Sequence, residues 1–509
     1  MEGRWLTLLL LVTLLLILLI KVVAIIHHQY TYWSKRGVPT ETNCPLFGST
    51  WRFIFQITTP AKHVNNLYYS YPGRRCIGGM DFAMPILIIR DPELIKDIAV
   101  KNFDNCPNHR TFVDEEMDPI FGKNVFSLKD ERWKEMRNTL TPSFTASKMR
   151  IMFDLVSNCA KGFVDYLVDC PPGLLEQLDT KDAFTRYTND VIATAAFGIT
   201  VNSMKNRENE FYVNGKDVAS FTGIARLAKF ILMRSMPRLT RFFGLTFLSA
   251  SATRFLKNVL TETVRTREQR GIVRPDMIQL LMQAREKDGS GYQMTMDDII
   301  AQGFIFFLAG FDTSSSFMCF MALELAFNRD IQERLRLEVD QLIESKGSLT
   351  YEDMCQMTYM DMVISETLRK YPPLLIIDRE CSRPFEIPAS GDEGAIVVEK
   401  GTVCVFPAYS LQNDPKYFPH PDKFDPERFN ERNKENITPY FYMPFGIGPR
   451  KCIGNRFALM EIKLIMAYLL QRFVLKTNQK SGTMPVTFSK KQFNLIPEGG
   501  FWLTLEKRV

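Results

Sequence analysis

The sequence predicts a mainly α-helical fold with small β-sheets. Three helix start signals, at residues 91–93 (DPE), 295–298 (TMDD) and 350–353 (TYED), each precede an apolar run. Strand-like segments are shorter and fewer, and the clearest are residues 401–408 (GTVCVFPA) and 501–506 (FWLTLE). These patterns indicate a helical body in which the sheets are minor.

The composition indicates one large globular body. The 509 residues are 46% hydrophobic and 24% charged, and no repeat or low-complexity tract divides residues 49–509. A net charge of +6 without a long basic run argues against nucleic acid as a partner. The ten cysteines form no CxxC pair and show no regular spacing. They therefore predict neither a zinc module nor a disulfide framework, and they favour a reducing compartment.

The N-terminus has the character of a membrane anchor. Residues 5–26 are apolar apart from two threonines and Lys21, a run long enough to span a bilayer. We expect residues 1–26 to be a retained anchor; the alternative is a cleaved signal peptide, although no clear cleavage site is present. Lys35 and Arg36 follow the run, so the positive-inside rule favours a cytosolic body. Residues 27–48 contain two prolines and predict a semi-rigid hinge.

The helix that begins after Thr295 is apolar on nearly every face and is therefore predicted to lie in the core. Asp312 and Thr313 interrupt its apolar character, and burying such groups is costly unless they are hydrogen-bonded. Thr313 can donate to the carbonyl four residues earlier, which would give it a purely structural role. A chemical role for both residues is the other interpretation.

Residues 221–248 combine apolar side chains with five spaced cations. Two interpretations are equally open. The segment lies on a membrane surface, or it forms amphipathic helices that pack on the body.

Cys452 has the least ordinary setting of any cysteine in the chain. It stands in FGIGPRKCIG, residues 445–454, directly after Arg450 and Lys451 and before a stretch with helical periodicity. Nearby cations, backbone N–H groups and a helix N-terminus favour the thiolate, which is the form that binds metals. The glycines of this segment let the backbone approach a bulky planar group. A free cysteine in a glycine-rich turn is the alternative.

The combination of Phe445, Gly448, Arg450, Cys452 and Gly454 resembles the haem-binding signature of the cytochromes P-450. The resemblance implies the helical haem-domain fold of that family over residues 49–509. It also implies haem b, with Cys452 as the proximal thiolate ligand.

Further motifs of the same family follow in its order, and they imply three groups of site residues. The side chains implied to contact haem or its propionates, besides Cys452, are Trp133, Arg137, Ala309, Arg379, Phe445, Gly446 and Arg450. Those implied to deliver protons to activated oxygen are Asp312 and Thr313, where the helix would open at Gly310. Those implied to form a buried structural charge network are Glu366, Arg369 and Arg428.

Two positions depart from the family pattern. Asn413 stands where many members have histidine. The loop near Phe121 offers no arginine for an additional propionate contact, and Lys123 is the candidate in its place.

The family's recognition regions imply an apolar substrate pocket. The candidates are Phe121, Phe126, Phe304, Phe307, Leu374, Ile376 and Phe493. These side chains predict a lipophilic substrate, although core packing is the competing role for about half of them.

The implied activity is that of a monooxygenase that uses O₂ and receives electrons from NADPH through NADPH-cytochrome P-450 reductase, with cytochrome b5 as a further candidate partner. Lys134, Lys451 and Lys463 are the candidate docking cations. The segments FFLAGFDTSS and FNLIPEGGFWL most resemble those of insect microsomal members associated with detoxification. This resemblance implies an endoplasmic reticulum membrane protein acting on xenobiotics. The alternatives are oxidation of endogenous hormones, fatty acids or terpenoids, isomerisation of a peroxide, and a non-catalytic haem carrier or sensor.

Overall fold

The computed structural model describes residues 2–41, 44–111, 113–219, 223–274, 276–286, 294–344 and 348–508. Helices dominate these residues, as predicted. They are α1 (Glu2–Thr31), α2 (Trp51–Ile54), α3 (Pro60–Tyr69), α4 (Pro92–Lys96), α5 (Pro119–Gly122), α6 (Asp130–Leu140), α7 (Ala146–Asp169), α8 (Pro172–Glu176), α9 (Thr180–Ile192), α10 (Glu210–Ala219), α11 (Ile224–Ser235), α12 (Pro237–Phe242), α13 (Ala250–Arg270), α14 (Met277–Glu286), α15 (Met296–Leu308), α16 (Ser314–Phe327), α17 (Arg329–Glu344), α18 (Tyr351–Cys355), α19 (Thr358–Lys370), α20 (Ala408–Gln412) and α21 (Asn455–Arg472).

The strands form three small sheets. They are β1 (Cys76–Asp81), β2 (Met84–Ile89), β3 (Leu178–Asp179), β4 (Ile377–Glu380), β5 (Phe385–Ile387), β6 (Ile396–Val398), β7 (Val403–Phe406), β8 (Phe473–Lys476) and β9 (Trp502–Lys507). The sheet orders are β1-β2-β7-β4, β3-β9-β8 and β5-β6. Both segments predicted as strands are confirmed, as β7 and β9. Because β4 pairs antiparallel with the buried β7, Arg379 lies opposite Cys404 in the interior of the largest sheet.

The predicted helix starts are confirmed by their cap hydrogen bonds. Asp91 accepts from the Leu94 N–H at 2.9 Å, and α4 begins at Pro92. Thr295 and Thr350 both form complete capping boxes with the acid three residues later. These local signals determine where three helices begin, because each satisfies backbone N–H groups that the first turn leaves unpaired.

The N-terminal helix is longer than predicted and is attached firmly to the body. α1 continues past residue 26 to Thr31, so part of the expected hinge is helical. The Gln29 amide donates to the carbonyl of Phe82 at 2.7 Å, and the Trp33 indole donates to that of Gly79 at 2.8 Å. Among the described residues, two helical stretches are long and apolar enough to cross a membrane. These are Arg4–Arg36, whose most apolar part is fully exposed, and Met296–Phe327, which is mostly buried core.

The cysteines form no disulfide framework in the described residues, but they include one pair that their spacing does not indicate. Cys106 and Cys381 form a disulfide, and the sulfur of Cys404 lies 4.0 Å from that of Cys381. The two bonded residues are 275 positions apart, so only the packing of β4 and β7 beside the segment after α4 brings them together. Spacing along the sequence carries no trace of such a pair.

Residues 221–248 were interpreted as either membrane-facing or packed on the body. They form α11 and α12, except that residues 221 and 222 lie outside the described residues. Met233 is buried, and Arg234 pairs with Asp81 of β1 at 2.7 Å, so α11 does pack on the body. At the end of α12, however, Phe242 is 82% exposed and Phe243 is 63% exposed. The segment therefore has one packed side and one exposed apolar end.

Candidate active site

The loop before α21 holds Cys452 in a tight, glycine-dependent turn. The Cys452 N–H donates to the carbonyl of Phe445 at 2.8 Å. Gly446 and Gly448 adopt φ values of +80° and +67°, which side chains disfavour. A Cβ on Gly448 would in addition lie 2.1 Å from the carbonyl oxygen of Ala99. Close packing against the segment after α4 therefore explains why this position requires glycine.

Cys452 is accessible, yet the surrounding protein desolvates its sulfur and so raises the pKa of the thiol. The backbone N–H of Gly454 and the charges of Arg137 and Lys451 act in the opposite direction and lower that pKa. The predicted thiolate-stabilising groups are therefore present, but desolvation outweighs them. A metal cation at the sulfur would supply the missing stabilisation of the thiolate.

Arg450 is buried beside this loop without an acidic partner among the described residues. Its guanidinium donates to the carbonyls of Pro107 at 2.7 Å and Leu128 at 2.8 Å, and it lies 4.0 Å above the Trp133 ring. Desolvation, together with repulsion from Arg379, lowers the pKa of Arg450 to about 8. The Trp133 ring thus stabilises the Arg450 guanidinium through a cation–π interaction.

Arg379, on β4, is a second buried arginine whose guanidinium donates to backbone carbonyls. It is fully buried and donates to the carbonyls of Asp378 and Ile447, both at 2.6 Å. Its Nε has no hydrogen-bond partner in the described part of the chain, and burial lowers the pKa of its guanidinium to about 10. The charge of Asp378 attracts both guanidiniums, but no carboxylate in the described part of the chain forms an ion pair with either of them. Two such buried arginines fit a group that brings its own carboxylates, as haem does with its propionates.

Arg137 lies beside the cysteine loop. Its guanidinium donates to the carbonyl of Lys451 at 2.7 Å, and the Cys452 sulfur raises its pKa against the lowering effect of burial. Lys123, the candidate for an additional propionate contact, instead faces Asp297 of α15 at 3.8 Å. The structure therefore gives no support to that role of Lys123.

Helices α15 and α16 form one continuous helical stretch, here called the central helix. Between them it widens into a π-helical turn, Ala309–Thr313. This is the opening that the sequence predicts around Gly310. The Phe311 carbonyl accepts from the hydroxyls of Thr188 and Ser315, both at 2.9 Å, so the widened turn keeps its polar groups satisfied. Ala309 is exposed although the helix around it is largely buried, which indicates that it borders an internal space.

Phe144 connects the central helix to the cysteine loop. Its ring lies 5.7 Å from that of Phe306, one turn before Ala309. A Cβ on Gly454 would lie 3.8 Å from the same phenylalanine. One aromatic side chain thus spans from the segment of Ala309 to the segment of Cys452, which brings the two predicted halves of the site together.

Asp312 has two partners that the sequence did not indicate. Its Oδ1 accepts from Nζ of Lys181, on α9, at 2.8 Å. Its Oδ2 accepts from the side-chain amide of Asn494 at 3.1 Å. The Thr313 hydroxyl donates to the carbonyl of Ala309, so the back-bond considered from the sequence is present.

The structure brings together Glu366, Arg369 and Arg428, the residues of the predicted charge network. Arg369 binds both oxygens of Glu366 at 2.8 and 2.9 Å, with both residues fully buried. Nε of Arg428 lies 3.4 Å from Oε1 of Glu366. Asn413, which stands where many members have histidine, accepts from Arg369 at 3.3 Å and donates to the carbonyl of Tyr409. The departure from the family pattern therefore leaves the network connected.

The aromatic substrate candidates divide into buried and accessible groups. Phe121 and Phe304 are buried with ring centres 5.7 Å apart, and Phe307 is enclosed with Phe311 in an aromatic cluster. Phe126 is 40% exposed and stacks on His109 at 4.5 Å. The burial of Phe304 and Phe307 is what core packing, the competing role, predicts.

The remaining candidates are more accessible. Leu374 is 57% exposed and Ile376 is 42% exposed, in the turn before β4. Phe493 is partly buried, and its ring contacts those of Phe53 and Phe230 at 5.3 and 6.4 Å. It therefore joins the C-terminal segment to α2 and α11.

One of the three docking cations was predicted wrongly. Lys463 is buried in α21, where it pairs with Asp361 at 2.8 Å and donates to the carbonyl of Met354. Lys134 is partly exposed and bonds to Glu131 at 2.9 Å, and Lys451 is exposed. Because α21 is buried on almost all sides, the sequence offered no polar face by which to place Lys463.

Together, the helical fold, the accessible sulfur in its N–H-lined turn and the two buried arginines without acidic partners define a haem-thiolate type of site. Comparison with known proteins leads to the same class. The family model for cytochrome P450 matches residues 39–503. Cytochrome P450 9e2 of Blattella germanica is 45% identical over 508 residues, covering 94% of each chain. Probable cytochrome P450 9f2 of Drosophila melanogaster is 41% identical over 495 residues, covering 94% of this chain and 95% of the relative.

The chain belongs to the cytochrome P450 family, with similar relatives in insects. The family binds haem through a cysteine thiolate, and its members are monooxygenases. The protein is therefore an enzyme, as predicted, and not a haem carrier or sensor.

Proposed function

We propose that this monooxygenase hydroxylates, epoxidises or dealkylates lipophilic small molecules, with electrons supplied by NADPH-cytochrome P450 reductase, and that it acts in xenobiotic metabolism. The observation that carries the proposal is the accessible Cys452, whose loop is connected through Phe144 to the segment of Ala309, an exposed residue on a largely buried apolar helix. Apolar surroundings of this kind favour lipophilic substrates. Oxidation of endogenous hormones, fatty acids or terpenoids would use the same residues and is the second candidate.

In this proposal, the Cys452 thiolate would hold the haem iron, and the side chains of Arg379 and Arg450 would neutralise the propionates. Trp133 holds Arg450 in place, and Arg137 fixes the cysteine loop through the carbonyl of Lys451. The haem supplies the activation of O₂, by which one oxygen atom enters the substrate and the other leaves as water. Asp312 and Thr313 carry protons to the reacting oxygen from the widened turn of the central helix.

We place the protein in the endoplasmic reticulum membrane, with the apolar helix as a single-pass anchor and the body in the cytosol. The exposed apolar part of α1 and the cations Lys35 and Arg36 beyond it support this arrangement. The exposed apolar end of α12 would contact the same membrane surface. Lys134 and Lys451 remain docking candidates for the acidic surface of the reductase, and cytochrome b5 is a second electron donor.

Reconstitution with reductase tests the proposal. Recombinant protein is combined with reductase, NADPH and a panel of terpenoids, fatty acids, alkaloids and insecticides. We expect NADPH- and reductase-dependent formation of products that carry one added oxygen atom or have lost an alkyl group. Products confined to endogenous compounds would favour the second candidate, and no product from any class would refute the proposed function.

Thr313→Ala should separate electron consumption from product formation. Without the hydroxyl, proton delivery fails and oxygen is released as hydrogen peroxide, so product per NADPH should fall by at least about tenfold. The matched control is Thr367→Ala, because Thr367 makes the same back-bond, to the carbonyl of Val363 at 2.8 Å, in α19. Equal coupling in both variants would assign Thr313 the structural role only.

A further inference from the structure

Asp312 is held at both oxygens by groups from two other parts of the chain. Lys181, at the start of α9, bonds to Oδ1 and also donates to the hydroxyls of Ser315 and Ser316 at 2.8 and 2.7 Å. Asn494, in the C-terminal segment after β8, bonds to Oδ2 at 3.1 Å. In this arrangement the carboxylate is bridged between two donors from distant parts of the chain.

The two groups proposed to deliver protons both make hydrogen bonds within the protein. The Thr313 hydroxyl donates to the carbonyl of Ala309, and each oxygen of Asp312 already accepts a hydrogen bond. Asp312, Thr313 and Asn494 line one small cavity together with Tyr371 and Pro372. For Asp312 to turn towards the reacting oxygen, one of its two bonds must break.

The bond to Asn494 is the more exposed of the two. Asn494 is exposed and is carried by the same segment as Phe493, whose ring contacts Phe53 and Phe230. Lys181, in contrast, is fixed by four acceptors on the central helix. A lipophilic molecule that displaces the ring of Phe493 would therefore pull Asn494 away from Asp312 and leave the lysine bond intact.

We propose that Asn494 is a positioning residue that holds Asp312 in an inactive orientation until substrate displaces the Phe493 segment. Proton delivery is thus withheld while the pocket is empty, which limits wasteful consumption of NADPH. The inference rests on the proposed function, because it assumes that Asp312 delivers protons and that Phe493 contacts substrate.

Asn494→Leu removes the amide donor and tests the proposal by two measurements. Substrate no longer has to break the Asn494–Asp312 bond, so its dissociation constant should fall by about fivefold, as expected for loss of one hydrogen bond to a carboxylate near the surface. It is measured from the shift in haem absorbance, using the panel compound that gives the largest shift. NADPH oxidation without substrate should rise by a similar factor, because the acid is free in the empty enzyme.

Three further variants complete the experiment. Asn494→Gln keeps an amide donor and should restore both values towards wild type. Lys181→Met should not tighten substrate binding, because the proposal leaves that bond intact. Asn430→Leu is the matched control, since Asn430 donates to the Glu427 carboxylate at 2.8 Å away from this cavity, and it should change neither value.

Substrate binding that is unchanged or weaker in Asn494→Leu, or an unchanged rate of NADPH oxidation without substrate, would overturn the proposal. The binding measurement needs no turnover. A wild-type enzyme that forms no product therefore refutes the proposed function, whereas the absence of tighter binding refutes only the role of Asn494.

Discussion

Cys452→Ala should yield protein that contains essentially no thiolate-bound haem. Cys452 carries the only metal-binding side chain in the 445–454 loop, and alanine offers no ligand in its place. The measurements are the haem content of purified protein and the spectrum of its reduced carbon monoxide complex. We expect the haem content to fall to background and the thiolate-type spectrum to disappear.

Cys355→Ala is the matched control, because Cys355 is also an exposed free cysteine but lies on α18. It should retain wild-type haem content and spectrum. A Cys452→Ala protein that kept the thiolate-type spectrum would remove this residue as the ligand. Loss of haem with normal helical content and solubility would show that the effect is on ligation and not on folding.

Glu366→Gln should destabilise the folded protein by about 3–5 kcal/mol, the usual cost of removing one partner of a buried ion pair. Glutamine has almost the same shape but carries no charge, so Arg369 would stay fully buried without its counter-charge. Arg428 would lose its attraction to the same carboxylate, and the N–H of Asp425 would lose a charged acceptor. The measurement is the free energy of unfolding in urea, followed by the midpoint temperature for loss of bound haem.

The chain offers a surface pair with the same spacing as a control. Glu333 and Arg336 also form an i, i+3 ion pair, but the Glu333 side chain is 57% exposed. Glu333→Gln should therefore change the free energy of unfolding by no more than about 1 kcal/mol. An equal decrease in the free energy of unfolding in the two variants would mean that burial does not determine how much the Glu366 network stabilises the protein.

The parts of this fold that could be predicted from the sequence depend on local chemistry. Thr295 and Thr350 cap helices through residues three positions away, and the glycine-rich loop of Cys452 is formed within a ten-residue segment. Glu366 and Arg369 also share one helical turn. In each case the interacting groups are near neighbours along the chain, so their pattern is visible without a structure.

What could not be predicted depends on contacts between distant segments. Lys181 and Asn494 reach Asp312 from positions 131 and 182 residues away, and neither lies in a recognisable motif. The Cys106–Cys381 disulfide depends in the same way on the packing of the largest sheet. Lys463 was misplaced because a helix buried on most sides has no polar face to orient it.

The attachment of α1 determines where the anchor can be removed without damage to the body. The Trp33 ring fills the space above Gly78, where even a Cβ would lie 2.4 Å from the indole, and Gln29 closes the edge of β1. Removing residues 1–26 keeps the side chains of Gln29 and Trp33 and takes away only the apolar part of α1. Removing residues 1–36 would also remove Trp33 and leave the space next to Gly78 of β1 unfilled. A water-soluble form of the enzyme should therefore begin before Gln29.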